Sequence, residues 1–286
     1  MPELPEVETI KNDLRAKIVR KKITALELTN KGSVRLTNDF EKKIVQAFFV
    51  EINRKGKLLI FKLSGGDYLL IHLKMTGQLI YQARQRGKDI YIAGGHGQEM
   101  EDLPNRHTRI ILRFADNANL YFNDLRKFGY WQLVNEAELQ KVLAKYGPEP
   151  LEKEFKKKYL QKIFQKTSRL IKAVLLDQSL IAGIGNIYAD EILFAAAVRP
   201  DRRAASLSEG EIEEIWKNSR TVIKNAIKYR GTTFNNYRDA EGRKGNYVQK
   251  LKVYGRKNLQ CLRCGHKIIK QKIAGRGTSY CEWCQK

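Results

Sequence analysis

Apolar positions near the start of the chain recur at helical spacing. The residues that share this spacing are Leu4, Val7, Ile10, Leu14 and Ile18. A helix that buries one face shows this periodicity, and Pro5 is tolerated because the first helical amides have no partner within the helix. Acidic residues are also concentrated in the first turn, where the helix dipole favours them. The pattern predicts one amphipathic helix at the amino end.

The stretch that follows, up to about residue 131, consists of short segments rich in β-branched and aromatic residues. In chain order they are KITALEL, IVQAFFVEI, KLLIFKL, YLLIHL, QLIYQA, RIILRF and LYFND. Turn-forming sequences such as GGD and DNAN separate them. Short strands at this spacing are typical of an antiparallel β-sandwich or barrel. The polar, glycine-containing residues 83–105 are predicted to form a loop.

The pattern becomes helical near residue 132 and stays so to about residue 229. Its clearest helix, SEGEIEEIWKNSRTVIKNAIKYRG, carries a capping Ser208, Glu211 three residues later and Gly231 beyond its end. Residues 231–249 are polar and glycine-rich, which is typical of a functional or mobile loop. The prediction is an α+β protein with a β-sandwich at 1–131, a linker at 132–150, a helical domain at 151–250 and a cysteine-containing domain at 251–286.

The charge composition of the chain indicates what kind of partner the protein binds. Among 286 residues, Lys and Arg number 54 against 31 Asp and Glu, which gives a formal net charge of +23. Such an excess predicts a polyanionic partner. An anionic membrane is disfavoured, because no run approaches the roughly 18 apolar residues of a spanning helix and no cationic amphipathic tail is present. The acidic start is unlike a secretory signal, so we expect an intracellular protein that binds nucleic acid.

The four cysteines lie close to the carboxyl end in the pattern C-x2-C-x16-C-x2-C. They are Cys261, Cys264, Cys281 and Cys284. This spacing is that of a zinc site, and four thiolates leave no open position for water, so the metal is expected to be structural. Two disulfides or four free thiols are the alternatives, which an intracellular location disfavours. His266 is a spare candidate ligand that the cysteines make unnecessary.

Arg276 stands between two glycines in AGRGTS, at the expected tip of a hairpin between the cysteine pairs. Glycine lets a backbone approach another molecule closely, and a guanidinium offers bidentate recognition of phosphate. A solvated turn is the alternative interpretation. The high positive charge of the chain favours phosphate binding.

The opening MPELPEVETI leaves two interpretations of Pro2. Once Met1 is removed, Pro2 presents a secondary amine with Glu3 beside it. It is either a first-turn proline that preorganises the helix, with Glu3 favoured by the helix dipole, or a nucleophile. These residues alone favour the structural interpretation.

Several segments together resemble one family. PELPEVET, HLKMTGQL, NDLRKFG, IAGIGNIYADEILF, VYGR and the cysteine-rich hairpin occur in order along the whole chain. In these segments the chain resembles the formamidopyrimidine-DNA glycosylases. The resemblance implies an N-terminal helix with a two-sheet β-sandwich, then a helix-two-turn-helix domain and a C-terminal zinc hairpin.

The resemblance also implies an activity. Members of this family are bifunctional base-excision repair enzymes, with DNA glycosylase and abasic-site lyase activities. They act on double-stranded DNA that contains oxidised purines, such as 8-oxoguanine and formamidopyrimidines, or abasic sites. They cut the strand by β,δ-elimination.

The resemblance reverses the interpretation of Pro2. It implies that Pro2 forms a Schiff base with the sugar C1′ and that Glu3 is the general acid and base. Lys57, in NRKGKLL, matches the family's lysine near the lesion phosphate, and Lys55 is its rival by position. Arg276 completes the set of catalytic residues that we predict.

Further matches concern DNA contacts. A base inside a duplex cannot be reached, so such an enzyme flips the base out and fills the gap. By resemblance, Met75 and Phe128 are the inserted side chains, for which core packing is the alternative, and Arg126 contacts the orphaned cytosine. Asn186 begins a helix after IAGIG, where free backbone amides bind phosphate. Further phosphate candidates are His72, Arg106 and Lys127.

Residues 231–249 resemble the loop that closes over the flipped purine, with Thr232 and Thr233 as candidate contacts. Two local departures from the family pattern are Lys74, where small residues are common, and the longer loop at 83–105. Neither departure touches the predicted catalytic positions.

Two other functions stay open at this point. One is an oxidised-pyrimidine glycosylase of the endonuclease VIII type, and the other is a catalytically silent zinc-containing DNA-binding protein. PELPEVET and the loop at 231–249 favour the purine enzyme, and the presence of Pro2, Glu3 and Lys57 disfavours the silent binder. We expect a monomer with one zinc ion, in the cytoplasm and associated with the nucleoid.

Overall fold

A computed structural model shows the fold of most of the chain. The residues that it describes are 1–29, 31–35, 39–85, 88–95, 103–232 and 246–286, with the backbone alone for 31, 84, 85 and 88–95. They form two compact units, one of residues 1–144 with 230–246 and one of residues 145–229 with 247–286. The domain limits at 131, 150 and 250 stay a prediction.

The first helix, α1 (Leu4–Ile18), lies where the apolar periodicity predicts it. Its buried side chains include all five of the periodic apolar residues. Pro5 lies in the first turn, and Arg15 and Lys17 lie in the last turn, where positive charge complements the helix dipole. The buried face of α1 packs into the core of the first unit.

Within the described part of the first unit, ten strands form two five-stranded sheets. Across the first sheet the order is β1 (Ile23–Leu28), β8 (Thr108–Phe114), β9 (Asn119–Asp124), β6 (Gly77–Gln85) and β7 (Lys88–Gly95). Across the second sheet the order is β2 (Val34–Arg35), β10 (Tyr130–Val134), β5 (Tyr68–His72), β4 (Leu58–Leu63) and β3 (Phe49–Lys55). Neighbouring strands are antiparallel, except that β2 and β10 are parallel.

Alternate side chains of both sheets meet in one hydrophobic core, because successive residues of a strand point to opposite faces. Buried members of this core include Leu59, Phe61 and Ile71 from the second sheet and Leu79, Leu112 and Phe122 from the first. The prediction of a two-sheet β-sandwich behind an N-terminal helix is confirmed. Two further helices in this unit are α2 (Phe40–Ile44) and α3 (Glu136–Leu143).

The predicted loop at 83–105 is wrong in part. Residues 83–85 continue β6, and residues 88–95 form β7, which pairs with β6 along its whole length. The apolar run in KDIYIA is a strand signal, but the polar and glycine-rich sequences on both sides of it obscure that signal. Residues 86–87 and 96–102 lie outside the described residues.

The second unit is helical, as the change in periodicity predicts. Its helices are α4 (Lys157–Gln165), α5 (Ile171–Leu176), α6 (Asn186–Ala195) and α7 (Glu209–Lys228). A turn at residues 178–180 and a bend at residues 181–183 join α5 to α6, as the predicted helix-two-turn-helix element requires. Among the residues that the structure covers, no helix has both the length and the apolar character that a membrane crossing requires.

A small hairpin ends the chain. Strand β11 (Ile269–Ile273) pairs with β12 (Arg276–Tyr280) across a two-residue turn of Ala274 and Gly275. Both turn residues have positive φ, 50° and 72°, which matches the right-handed twist of a hairpin. Arg276 is therefore the first strand residue after the tip, one position from where the sequence analysis put it.

The cap of α7 offers a test of the helical unit. The Glu211 amide donates to the Ser208 hydroxyl at 3.3 Å, and the Glu211 carboxylate accepts from the Ser208 amide at 2.7 Å. We expect Ser208→Ala to lower the free energy of unfolding by about 1 kcal/mol, because it leaves a helical N–H without its acceptor. Urea denaturation measures this change. Ser208→Asp, which keeps an acceptor, should unfold close to the wild-type midpoint, and equal losses in both variants would contradict the capping role.

Candidate active site and DNA-contact residues

The amino terminus forms a buried, polar cluster at the start of α1. Pro2 is buried, and Glu3 is only 3% exposed. Glu3 is the N-cap of α1 in a capping box, in which the Glu6 carboxylate accepts a hydrogen bond from the Glu3 amide at 2.9 Å. Backbone amides at the helix start thus hold both side chains, so α1 contributes directly to the geometry of this cluster.

Three charged side chains act on the first amino group of the chain. Burial lowers the pKa of the Met1 amine, the carboxylates of Glu3 and Glu6 oppose this effect, and the positive charge of Lys57 lowers the pKa further. Lys57 is therefore close enough to the chain start to act electrostatically there. The structure brings Pro2, Glu3 and Lys57 into one neighbourhood, although they are far apart in sequence.

Lys57 lies in the two-residue turn between β3 and β4 and is 6% exposed. The turn is tied to α1, because the Arg54 guanidinium donates to the Glu8 carboxylate at 2.9 Å and to the Gly56 carbonyl at 2.8 Å. Lys55, the rival by position, is half-buried on the preceding strand. The burial of Lys57 and its effect on the terminal amine favour Lys57 over Lys55 as the counterpart of the family's lysine near the lesion phosphate.

Two exposed loops lie side by side at one end of the first sheet. Gly77 at the start of β6 pairs with Asp124 at the end of β9, so the residues before one and after the other are neighbours. Met75 is 42% exposed in the first loop, and Phe128 is 54% exposed in the second. The Arg126 guanidinium lies 4.7 Å from the Phe128 ring centroid. This exposure excludes the core-packing alternative for Met75 and Phe128.

The buried carboxylate of Asp124 holds both loops, and Asp124 was not among the predicted site residues. Its oxygens accept hydrogen bonds from the Thr76 hydroxyl, from the Arg126 amide at 3.2 Å and from the Gly129 amide at 2.7 Å. A side chain on Gly129 would meet the Asp124 carboxylate at 3.1 Å and the Phe122 ring at 2.7 Å. The dipeptide Asn-Asp that ends a buried strand before LRKFG was the available signal.

His72 is a neutral hydrogen-bonding group near these loops. Burial lowers the pKa of His72 to about 3, and the positive charges of Lys74, Lys57 and Arg35 add to this effect. Its Nδ1 accepts from the Lys74 amide at 2.9 Å, so the single ring proton lies on Nε2. His72 can thus donate one hydrogen bond to a phosphate oxygen at physiological pH.

Arg106 and Lys127 are exposed at the same end of the sheet. The Arg106 guanidinium donates to His107 Nε2 at 3.1 Å, and the His107 carbonyl accepts from the Asp124 amide at 2.9 Å. Lys127 lies in the loop that Asp124 holds, with φ of 57°. Both cations therefore border the loops that carry Met75 and Phe128.

In the second unit, Asn186 and Arg276 lie close together. Asn186 is the first residue of α6, and its side-chain amide donates to the Gly277 carbonyl at 2.9 Å. Gly277 follows Arg276 on β12, and the Arg276 side chain is exposed. The start of α6 and the tip of the zinc hairpin thus form one surface that offers backbone amides and a guanidinium to a phosphate.

Two adjacent acids of α6 fasten other segments to it. Asp190 accepts from the Lys172 ammonium at 2.6 Å and from the Ser279 amide at 2.8 Å, and Lys172 also donates to the Thr278 hydroxyl at 2.6 Å. Burial raises the pKa of the Asp190 carboxyl, and the Lys172 ammonium opposes this. These contacts join α5, α6 and the zinc hairpin.

Glu191, the second acid, is 3% exposed. Its carboxylate accepts from three consecutive backbone amides of residues 252–254, at 2.8 to 2.9 Å. It therefore fixes the start of the VYGR segment. Neither acid was among the predicted site residues, although two adjacent acids within the apolar helix sequence NIYADEILF are a signal for such a buried role.

The four cysteines form one cluster, as their spacing predicts. Their sulfur atoms all lie within 4.8 Å of one another, with 3.8 Å between Cys261 and Cys284 and 3.5 Å between Cys264 and Cys281. Tetrahedral zinc with Zn–S bonds of about 2.3 Å requires about 3.8 Å between sulfurs. The residues therefore fit one structural zinc ion. His266 stacks on Trp283 at 4.0 Å between ring centroids and is no part of this cluster.

The start of the predicted lesion loop reaches the amino-terminal cluster. Thr232 is fully buried, and its amide and hydroxyl donate to the Glu6 carboxylate at 2.6 and 3.0 Å. Thr232 also forms an isolated β-bridge with Asn246. Thr233 and residues up to 245 lie outside the described residues, so the contacts predicted for them stay a prediction.

A helix-two-turn-helix element followed by a four-thiolate zinc hairpin defines the class of the second unit, which is that of zinc-containing DNA-binding proteins. Three family models cover most of the chain. The formamidopyrimidine-DNA glycosylase N-terminal domain matches residues 1–131, the H2TH domain of the same family matches residues 146–237, and the zinc finger found in FPG and IleRS matches residues 259–286. The chain belongs to the formamidopyrimidine-DNA glycosylase family.

Relatives of the same family are similar in sequence to this chain over its full length. The formamidopyrimidine-DNA glycosylase of Carboxydothermus hydrogenoformans is 42% identical over 288 residues, with 100% of both chains covered. That of Pelotomaculum thermopropionicum is 39% identical, with 100% of this chain and 99% of the relative covered.

Solved structures of the Lactococcus lactis enzyme have the same fold. A mutant bound to DNA containing Fapy-dG matches with a TM-score of 0.88 and 33% identity, covering 100% of both chains. A complex with DNA containing an abasic site matches with a TM-score of 0.87 and 32% identity, covering 99% of both chains.

Zinc removal tests the cysteine cluster. We expect one zinc ion per chain by atomic absorption, and we expect Cys261→Ser and Cys281→Ser to lose the ion and to bind duplex DNA more weakly, because the hairpin that carries Arg276 loses its fold. His266→Ala is the matched control and should keep one zinc ion. Loss of zinc in that control as well would show that the ligand set is incomplete.

The Asp124 contacts give a second test. We expect Asp124→Asn to lower the free energy of unfolding by about 1–3 kcal/mol, because an amide group would face backbone donors in a buried position. Affinity for duplex with an abasic-site analogue should fall in fluorescence anisotropy. Asp116→Asn, in the turn before β9, is the control and should change neither quantity appreciably, because the ion pair of Asp116 with Lys21 is largely exposed. Unchanged affinity in Asp124→Asn would mean that the two loops do not depend on this carboxylate.

Proposed function

We propose that this protein is a base-excision repair enzyme that removes oxidised purines from duplex DNA and then cuts the strand at the abasic site. The observation that carries the proposal is the buried amino-terminal cluster of Pro2, Glu3 and Lys57, in a chain of the formamidopyrimidine-DNA glycosylase family. The solved relatives bound to DNA with Fapy-dG or an abasic site support the substrate class.

The nucleophile is the secondary amine of Pro2 after removal of Met1. An α-amino group with a pKa of about 7.7 to 8.0 is neutral in roughly one molecule in seven at pH 7, far more often than a lysine with a pKa near 10.4. Attack of this amine on the sugar C1′ displaces the damaged base with its bonding electron pair, and cleavage of the C1′–O4′ bond, with a proton going to O4′, then gives an iminium ion. Its nitrogen has no proton left to lose, so the positive charge persists as an electron sink.

The iminium ion drives the strand cuts. It acidifies the C2′ hydrogen, and loss of that proton expels the 3′ phosphate with its electron pair. A second elimination from the same adduct expels the 5′ phosphate. Glu3 protonates the sugar ring oxygen as the ring opens and accepts protons in the eliminations. Lys57 binds the phosphate beside the lesion.

DNA binding relies on flipping the damaged base. Met75 and Phe128 fill the gap in the stack, and Arg126, which rests on the Phe128 ring, binds the orphaned cytosine. Phosphate contacts come from the cations and donors His72, Arg106, Lys127, Asn186 and Arg276. Thr232 and Thr233 belong to the loop that covers the flipped purine.

We further propose that the enzyme is a monomer of the cytoplasm, associated with the nucleoid. A net charge of +23 suits a protein that searches along chromosomal DNA, because most of the binding energy of such a search is electrostatic. The zinc ion has no chemical step in this mechanism and keeps Arg276 in place.

Trapping with borohydride tests the nucleophile. We expect a protein that begins at Pro2 to form a stable covalent adduct on duplex with 8-oxoguanine opposite cytosine, because borohydride reduces the iminium ion to an amine. Peptide mass spectrometry should locate the DNA on Pro2. The matched control retains Met1, so that the Pro2 nitrogen is an amide, and should bind the lesion without forming an adduct.

Trapping, together with excision assays on two lesions, separates the two alternative functions from the proposed one. Lesion binding without any adduct by the Pro2-terminated protein would support a catalytically silent DNA-binding protein. Faster excision of thymine glycol than of 8-oxoguanine would support an enzyme of the endonuclease VIII type. We expect Glu3→Gln to slow base excision by about 100-fold or more, with little change in lesion affinity.

A further inference from the structure

The segment that returns to the first unit begins with an unusual backbone conformation. Arg230 has φ of 62° and Gly231 has φ of 80°. Glycine adopts this left-handed region readily, but for arginine the conformation is unfavourable. Something in the surroundings must therefore hold Arg230 in place.

An ion pair with α1 holds it. One nitrogen of the Arg230 guanidinium, Nη2, donates to both carboxylate oxygens of Asp13, at 2.8 and 2.7 Å. The Asp13 side chain is 15% exposed and that of Arg230 is 33% exposed. Asp13 stands seven residues, or two helical turns, after Glu6, so both carboxylates lie on one face of α1.

Glu6 contacts the residues that follow Arg230. Its Oε1 accepts from the amide and hydroxyl of Thr232, and its Oε2 accepts from the Glu3 amide at 2.9 Å. A side-chain carbon on Gly231 would lie 2.6 Å from Glu6 Oε1, so only glycine allows this approach. One carboxylate thus joins the 230–232 segment to the backbone of Glu3, next to Pro2.

We propose that Asp13 and Arg230 are positioning residues for the amino-terminal site. Their ion pair keeps Gly231 and Thr232 against Glu6, and Glu6 in turn keeps the Glu3 backbone, and with it the Pro2 nitrogen, in the orientation that attack on the sugar requires. Neither residue touches DNA in this proposal. The inference rests on the proposed function, because it assigns the orientation of Pro2 and Glu3 a role in catalysis.

A purely stabilising role would not explain the pair well. A partly exposed ion pair contributes little to stability, and the left-handed arginine opposes that contribution. Arg230→Gly separates the two roles, because it removes the pair but also removes the backbone strain. If the pair only stabilises the fold, this variant should resemble the wild type in both stability and rate.

We expect Arg230→Gly and Asp13→Asn to slow single-turnover excision of 8-oxoguanine by about ten- to a hundredfold, because small displacements of a reacting group cost rates of this order. Cleavage of a preformed abasic site should slow by a similar factor, since Pro2 and Glu3 act in both reactions. Affinity for duplex with an abasic-site analogue and the melting temperature of Arg230→Gly should stay close to wild type.

Two further variants are controls. Arg230→Lys should keep most of the rate, because a single nitrogen already makes both contacts with Asp13. Glu27→Gln breaks the exposed ion pair with Arg113 elsewhere in the same unit and should leave the rate unchanged.

The outcomes separate this inference from the proposed function. Absence of excision by the Pro2-terminated wild type would refute the proposed function itself. An active wild type with an unchanged Arg230→Gly variant would overturn only the positioning role. Slowing that is confined to the 8-oxoguanine substrate would also overturn the positioning role. So would a melting temperature that falls together with the rate in Arg230→Gly, if Arg230→Lys does not restore the rate.

Discussion

A buried carboxylate must have each of its oxygens hydrogen-bonded, and this constraint organises both units of the protein. Asp124 meets it by accepting from the two loops that carry Met75 and Phe128. Glu191 meets it by accepting from three successive amides of one segment. In each case the partners are mostly backbone amides, so the carboxylate specifies the path of a loop rather than a single side chain.

A half-buried carboxylate, that of Glu6, has a similar role in the candidate active site. The Glu6 carboxylate accepts hydrogen bonds from both the Glu3 amide and Thr232. It therefore links the amino terminus to a segment 226 residues further along the chain. The end of a chain is otherwise free to fray. A capped helix, a buried turn and this shared carboxylate together restrict the amino terminus, and the proposed role of Pro2 as nucleophile requires such a fixed orientation.

Charged side chains of the protein fall into two groups. Arg106, Arg126, Lys127 and Arg276, the cations that we propose to contact DNA, are exposed, as groups that exchange water for phosphate or base must be. Lys172, by contrast, is fully buried beside Asp190 and serves the hairpin rather than DNA. This division explains how a base-excision repair glycosylase can carry a net charge of +23 and still contain a buried ammonium group with a structural role.

The sequence by itself determined most of the helices and strands, the zinc ligands and the family. Helical periodicity, strand composition and a C-x2-C pair are local signals, and each is legible without knowing the rest of the fold. Tertiary structure decided which residues meet. The strand at 88–95 depends on pairing with β6, the roles of Asp124 and Glu6 depend on donors distant in sequence, and the left-handed Arg230 depends on Asp13. These features follow from long-range hydrogen bonds and ion pairs, which no local pattern of residues encodes.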